Sequence, residues 1–197
     1  MKIGVLALQG DFREHIALVD SIGVTGVEVR TPAELTGVDA LIIPGGESTT
    51  IGKLADLYGL IKPIRDRVEA GMPILGTCAG MIFLASGVTE GDQPQLGVLD
   101  VAVERNAFGR QVDSFEADLA VVGREETVHA VFIRAPWIQK AAAEVEVLAS
   151  VTDPSTGEER PVVVRQGKVL ATSFHPELIG ETWIHELLVE AALAGSN

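Results

Sequence analysis

The sequence predicts an α/β fold with a mostly parallel central sheet and an antiparallel hairpin region added in its second half. Three observations carry this. Short, wholly apolar runs recur in the first half, and stretches with apolar residues at helical spacing separate them. From about Leu96 onward, strand-like runs instead follow one another with turn residues between. Runs apolar along their whole length mark strands covered on both faces, and alternation with helices marks parallel pairing.

Taken in order, Lys2 to Leu8 is the first such run. Asp11 to Ile22 follows, with Phe12, His15, Ile16, Val19 and Ile22 at 3–4 spacing, the pattern of a helix. Val27 to Arg30 and Ala40 to Ile43 are short and β-branched, hence strands. Leu54 to Ala70 reads as helical with a break at Pro63, and Pro73 to Gly76 as a strand leading into the helical pattern Met81 to Ser86. In the second half, strands are expected at Leu96 to Val103, Ala117 to Val122, Val128 to Ile133, Val145 to Val151, Pro161 to Arg165 and Val169 to Ser173. Ser155 to Glu159 and Gln166-Gly167-Lys168 are turn chemistry and predict hairpins. An amphipathic helix, Ile179 to Ala194, closes the chain.

Composition bounds the function. The 197 residues carry no repeat, low-complexity tract or Pro/Ser-rich linker, so one domain over residues 1–197 is expected. Hydrophobic residues at 47% and charged residues at 22% exclude a disordered chain. The net charge of −13 opposes binding to nucleic acid or to anionic membrane surfaces. A single cysteine, Cys78, excludes an internal disulfide, and the N-terminal apolar run is too short for an export signal. A cytoplasmic location is therefore expected. The uncharged stretch Ala70 to Thr89 approaches membrane-span length, but Gly71, Pro73, Gly76 and Gly80 break it.

Three segments carry chemistry, each at the C-terminal end of an expected strand, where open α/β sheets bind ligands. Gly76-Thr77-Cys78-Ala79-Gly80 has the form of a nucleophile elbow, with small neighbours that permit a strained turn. The following helix's N-terminus and a nearby imidazole would favour the thiolate; taken alone, the motif also suits a small buried cysteine. In Phe174-His175-Pro176-Glu177, residues i and i+2 of an extended stretch point the same way, so Glu177 is set to orient the His175 ring. Pro44-Gly45-Gly46-Glu47-Ser48-Thr49-Thr50 offers backbone N–H groups to an oxyanion or carboxylate, with Ser48 or Thr49 expected to cap the next helix. His15, His129 and His185 read as structural, and their separation in sequence argues against a metal site.

These motifs resemble those of the triad-type, class I glutamine amidotransferases. Leu8 to His15, Glu104 to Glu116 and Phe132 to Pro136 narrow the likeness to the glutaminase-subunit family of two-protein pyridoxal 5′-phosphate synthases. The resemblance spans nearly the whole chain. It implies a flavodoxin-like three-layer fold and a Cys78–His175–Glu177 triad acting on L-glutamine through a glutamyl thioester. It further implies an oxyanion hole at Gly46 and Ala79, and glutamine contacts from Gly46, Glu47, Ser48, Arg105, Ile133 and Arg134. Arg105 and Arg134 also stand out by themselves, as cations available to an anionic substrate in an acidic chain. No cofactor or metal is implied; the partner is a synthase subunit that receives the ammonia. Gln9, at the end of the first strand, is the candidate contact through which that partner would act on the Gly45–Gly46 peptide. A flavodoxin-like cysteine hydrolase or chaperone is one competing class, but such proteins often place histidine directly after the cysteine, where Ala79 stands here. A non-catalytic binding subunit is the second, and within the amidotransferases an anthranilate- or carbamoyl-phosphate-type partner is the nearest rival.

Overall fold

The computed structural model describes residues 1–105, 114–153 and 156–195. Part of the Glu104–Glu116 motif and part of the Ser155–Glu159 turn lie outside the described residues. The elements run β1 (Lys2–Leu6), α1 (Phe12–Ser21), β2 (Thr25–Val29), α2 (Pro32–Leu35), β3 (Ala40–Ile43), α3 (Ser48–Leu57), α4 (Ile61–Glu69), β4 (Ile74–Thr77) and α5 (Ala79–Leu84). There follow β5 (Ala85–Val88), β6 (Leu99–Glu104), β7 (Ser114–Leu119), β8 (Val128–Ile133), β9 (Trp137–Ala141), β10 (Glu146–Thr152), β11 (Glu159–Gln166), β12 (Val169–Thr172) and α6 (Trp183–Leu193).

Seven strands form the central sheet in the order β10-β11-β12-β4-β3-β1-β2. The five from β12 to β2 are parallel, and β11 and β10 extend the edge antiparallel. The strands β3 and β4 are buried at every residue, as their uniformly apolar runs require. Alternate residues feed two cores. Leu41, Ile43 and Ile74 face α3, α4, α5 and the small β5-β6-β9 sheet; Ile42 and Leu75 face α1, α6 and the β7-β8 pair. The result is three layers. The β11-β12 hairpin closes through Gly167-Lys168, with Gly167 at φ 57° and Lys168 not at positive φ, the type II′ pattern that suits the strand twist.

Several boundaries differ from the sequence reading, each for a physical reason. The expected break at Pro63 lies instead at Tyr58-Gly59-Leu60, where Gly59 takes φ 64°. Pro63 sits in the first turn of α4, where its missing N–H is no loss. The apolar helix expected from Met81 to Ser86 is Ala79–Leu84, and Ala85–Val88 pairs as a strand with β6. The last helix starts at Trp183 rather than Ile179, because a 3-10 turn at Pro176–Leu178 intervenes. Strand β9, with two polar residues in five, carries too weak a pattern to be expected.

Close packing of β3 against α5 depends on Gly80. A Cβ there would lie 2.1 Å from the Ile43 carbonyl oxygen, a backbone atom that cannot yield without moving β3. Gly80→Ala is expected to destabilise the fold by about 1–3 kcal/mol. That corresponds to a melting temperature lower by roughly 2–4 °C per kcal/mol. Thermal denaturation followed by circular dichroism checks this, and an unchanged transition would show that the elbow helix has room to shift.

Candidate active site

Backbone pairing of β4 with β12 builds the site. Thr77 stands opposite Thr172, and one residue further the Cys78 N–H donates to the Thr172 carbonyl at 2.8 Å. Cys78 itself takes φ 48° and ψ −106°, outside the regions open to ordinary side chains. Such a conformation costs about 1–3 kcal/mol and persists only where its surroundings over-determine it. Here the β12 carbonyl on one side and the packed α5 on the other hold it.

His175 comes from the chain just beyond β12. Phe174, fully buried, packs edge-on against Phe132 of β8 at 5.6 Å, and the His175 N–H donates to the Val131 carbonyl at 3.1 Å. Pro176 then opens the 3-10 turn that carries Glu177 back under the ring. Nδ1 of His175 lies 2.7 Å from Glu177 Oε1. The i, i+2 partnership expected from the sequence is thus present, but through a tight turn rather than an extended strand, since proline's fixed φ starts the turn immediately. With Nδ1 donating to Glu177, Nε2 is left for Cys78, whose nearness helps to raise the His175 pKa. Asp11 Oδ2 approaches the same Nδ1 at 3.6 Å, a second acid that no sequence spacing signalled.

Burial works against a charged His175, but the hydrogen bonds and charges of Cys78 and Glu177 prevail and push its pKa up to about 10. Burial raises the Glu177 carboxyl, while the His175 hydrogen bond draws it back. Burial likewise raises Asp11, against the pull of His175.

The Pro44–Thr50 loop forms the opposite wall. A Cβ on Gly45 would lie 2.3 Å from His175 Cε1, and Gly46 takes φ 149° with Gln9 Oε1 against it, so both positions need glycine. The Gly45 carbonyl accepts from the Asp11 N–H at 3.2 Å, and Gln9 Oε1 accepts from the Glu47 N–H at 2.7 Å. Glu47, not Ser48 or Thr49, caps α3. Its carboxylate accepts from the Thr49 and Thr50 N–H groups, a stronger cap than a hydroxyl because the acceptor is charged. Burial would raise its pKa, but the Thr50 hydroxyl and these N–H groups bring it down to about 2. Ser48 turns instead to Gln93, whose Oε1 also accepts from Thr49 Oγ1 and Arg105 Nη1. Arg105 reaches the site through an ion pair with Glu47 at 3.2 Å.

Together these walls enclose a cavity of about 510 Å³. Cys78, Ala79 and His175 line it, as do Gly46, Glu47, Ser48, Arg105, Ile133 and Arg134. Gln9 and Asp11 lie at its edge, and Glu177 stands behind His175, 7% exposed. Every residue that the resemblance puts in the triad, the oxyanion hole, the glutamine contacts or the partner contact therefore either lines this cavity or, as Glu177, backs it. The model of the SNO glutamine amidotransferase family matches residues 5–194. The chain belongs to that family. A pyridoxal 5′-phosphate synthase subunit PdxT from Frankia alni is 57% identical over 96% of this chain and 94% of its own. Its namesake from Moorella thermoacetica is 52% identical over 96% of this chain and 98% of its own. A crystal structure of a glutamine amidotransferase superposes with TM-score 0.89 at 54% identity, covering 96% of this chain and 98% of its own. PurLQS from Thermotoga maritima shares the fold at TM-score 0.70 and 19% identity, covering 100% and 98% of the two chains.

Among the described residues, the one group with metal-ligand spacing is Asp11, His175 and Glu177, on the His175 side of this cavity. No helix among them is long and apolar enough to cross a membrane. His15 and His185, far apart in sequence, are hydrogen-bonded to each other at 2.8 Å behind Glu177. His129 lies apart on β8, exposed between Asp118 and Glu116.

Because its pKa is raised above the ordinary 6.5, the stabilisation contributed by charged His175 is complete below pH 6.5 and lost as pH rises through about 10. Ring ¹⁵N spectra are expected to show His175 doubly protonated at pH 8. Cys78→Ala, which removes one of its two partners, should lower its midpoint. A wild-type midpoint near 6.5 would show that Cys78 and Glu177 do not hold the ring charged.

Proposed function

We propose that this chain hydrolyses L-glutamine to L-glutamate and ammonia. The ammonia passes to a partner synthase subunit that makes pyridoxal 5′-phosphate. The observation that carries the reading is one cavity holding a strained cysteine, a carboxylate-backed histidine and both an anion and cations for an amino-acid substrate. Relatives more than half identical over nearly their full length bear the name of that synthase's PdxT subunit. Residues 1–197 act as one glutaminase domain and need no cofactor for this chemistry.

Glutamine carries an α-ammonium and an α-carboxylate. Glu47 suits the first and Arg105 with Arg134 the second, leaving the side-chain amide to reach Cys78 beside Ser48 and Ile133. The Cys78 thiolate attacks the amide carbon, and the oxyanion is received by N–H groups at Gly46 and Ala79, each worth a few kcal/mol in such sites. Collapse of the tetrahedral intermediate breaks the C–N bond as His175 gives its proton to the leaving nitrogen, so ammonia departs and a glutamyl thioester remains. Esterification removes the thiolate charge, one of the causes that hold the His175 pKa high. The ring then turns into a competent base: it takes a proton from water, which attacks the thioester and releases glutamate and the thiolate.

The partner's entry point is the Gln9 side chain, bonded to the Glu47 N–H on the oxyanion loop. In the trans Gly45–Gly46 peptide the N–H points opposite the carbonyl, which is tied to the Asp11 N–H. Reorienting that N–H costs this one hydrogen bond, and the two glycines permit the flip.

Cys78→Ala is expected to abolish ammonia release from glutamine, and His175→Asn to remove most of it. Glu177→Gln should cost less, and the double variant His175→Asn/Glu177→Gln little more than His175→Asn alone. Steady-state glutaminase assays check this; full activity in Cys78→Ala would overturn the mechanism.

The isolated chain should be a poor glutaminase that a molar excess of the synthase subunit activates on the order of a hundredfold in kcat, corresponding to about 3 kcal/mol of population shift. Gln9→Ala should blunt that response. Equal kcat with and without partner would remove the switch.

A further inference from the structure

Behind the triad lies a buried polar chain that the hydrolysis described above does not use. His15 of α1 and His185 of α6 are both 0% exposed, as is Thr77 of β4. His15 Nδ1 lies 2.8 Å from His185 Nε2, and His15 Nε2 lies 3.1 Å from Thr77 Oγ1. The same Nε2 stands 3.4 Å from Glu177 Oε2, the carboxylate oxygen turned away from His175. That oxygen is buried and has no hydrogen-bond partner of good geometry. A buried carboxylate oxygen without a donor is costly and drives the group toward its neutral form. Two full histidines are unusual among the buried side chains of α1 and α6, which otherwise include Leu18, Val19, Ile184 and Leu188.

We propose that His15 is a positioning residue for the triad: His185 holds it with its proton on Nε2, and that N–H serves Glu177 Oε2. The proposal rests on His175 being the acid–base group of the site. The tautomer follows from the donors available. With Nε2 bare, two lone pairs would face each other across the short gap to Glu177, and the carboxylate would have His175 as its only strong donor. With Nε2–H, both Thr77 Oγ1 and Glu177 Oε2 meet a proton, and Nδ1 accepts from His185 Nε2–H. The cost falls on His185 Nδ1, which in this tautomer is bare on the side of the Glu181 carbonyl and has no hydrogen-bond partner of good geometry; a bare ring nitrogen is a cheaper orphan than an ionised oxygen.

The groups facing His15 are His185 from α6, Thr77 from β4, and Glu177 and His175 from the turn beyond β12; Asp11 acts on Glu177 from the loop before α1. Burial, then the charges of His185 and His175, hold the His15 pKa well below 6.5, and burial brings His185 to about 4 against the pull of the Glu181 carbonyl. Both rings are thus neutral at physiological pH. A neutral imidazole supplies an N–H without placing a second positive charge beside the His175 imidazolium, which an arginine or lysine in this place would do. His15 thereby keeps Glu177 ionised and aimed, and Glu177 keeps the His175 proton available.

The chain has only four histidines, so ring ¹⁵N spectra are assignable by single substitutions. In the wild type between pH 5.5 and 9, His15 should remain neutral with its proton on Nε2, whatever the activity of the preparation. A proton on Nδ1, or titration near the ordinary 6.5, would overturn the proposal. The second arm compares His15→Leu, which removes the donor, with His15→Gln, which restores an N–H, each assayed with the synthase subunit. His15→Leu should lower kcat for glutamine about tenfold to a hundredfold, less than the ~10²–10⁴ of general acid–base catalysis itself. Its KM should hold within roughly twofold, its His175 midpoint should fall by about one unit, and His15→Gln should recover most of both losses. Wild-type kcat and an unmoved His175 midpoint in a folded His15→Leu would sink the idea. Should His15→Leu fail to fold, the wild-type spectra still decide. Absence of ammonia release from the wild-type complex would refute the glutaminase reading, while the His15 tautomer and the His175 midpoint would still judge this one.

Discussion

The parallel pairing of β4 with β12 is the constraint on which the site depends. Register there sets Thr77 against Thr172 and so brings Cys78 beside the chain that leads to His175. A slip of one residue would move Cys78 by about 3.3 Å relative to His175 and turn its side chain to the other face of the sheet. The register is held by burial on both sides, since Ile74 and Leu75 enter opposite cores. It is also held by the type II′ hairpin that delivers β12 alongside β11. Stability of the central sheet and competence of the site are therefore one property.

A second consequence of that pairing is electrostatic. Among the described residues, the titratable groups buried beside the elbow each have a compensating neighbour. Glu177 lies between His175 and His15, and His175 between Glu177 and Cys78. The mouth of the cavity is arranged differently. There Glu47 and Arg105 pair in partial contact with solvent, Glu47 already committed to capping α3 and Arg105 to Gln93 and Thr49. Charges at the mouth are thus aligned before any substrate arrives, which lowers the ordering cost of binding.

Much of this was legible in the chain. Apolar runs signalled β1, β3 and β4, since strands covered on both faces need no polar alternation. The run that became β12 read only as one more strand of the hairpin region, and its parallel pairing with β4 came from the fold. The glycine-flanked cysteine, the His-x-Glu and the Pro-Gly-Gly segment each announced a special backbone or a local pair. Weakly patterned elements escaped. Strand β9 and strand β5 owe their form to pairing partners distant in sequence, and local propensity yields to such contacts. The cap of α3 also escaped, because Glu47, Ser48 and Thr49 are all plausible caps and only the turn's geometry selects the charged one.

By itself, then, the sequence determined which residues are chemically able to act and that they follow the ends of strands; that those strands lie side by side came from the fold. Their signals are local: a strained turn needs small flanks, and a histidine two residues from a carboxylate is already within reach of it. Tertiary structure alone decided that Asp11 approaches His175, that Gln93 gathers Ser48, Thr49 and Arg105, and that His15 and His185 meet behind Glu177. Apart from Gln93 with Arg105, 12 positions away, those contacts join residues 44 to 170 positions apart. No periodicity spans such a separation, and only burial in a shared core makes an unpaired polar atom costly enough to specify its partner.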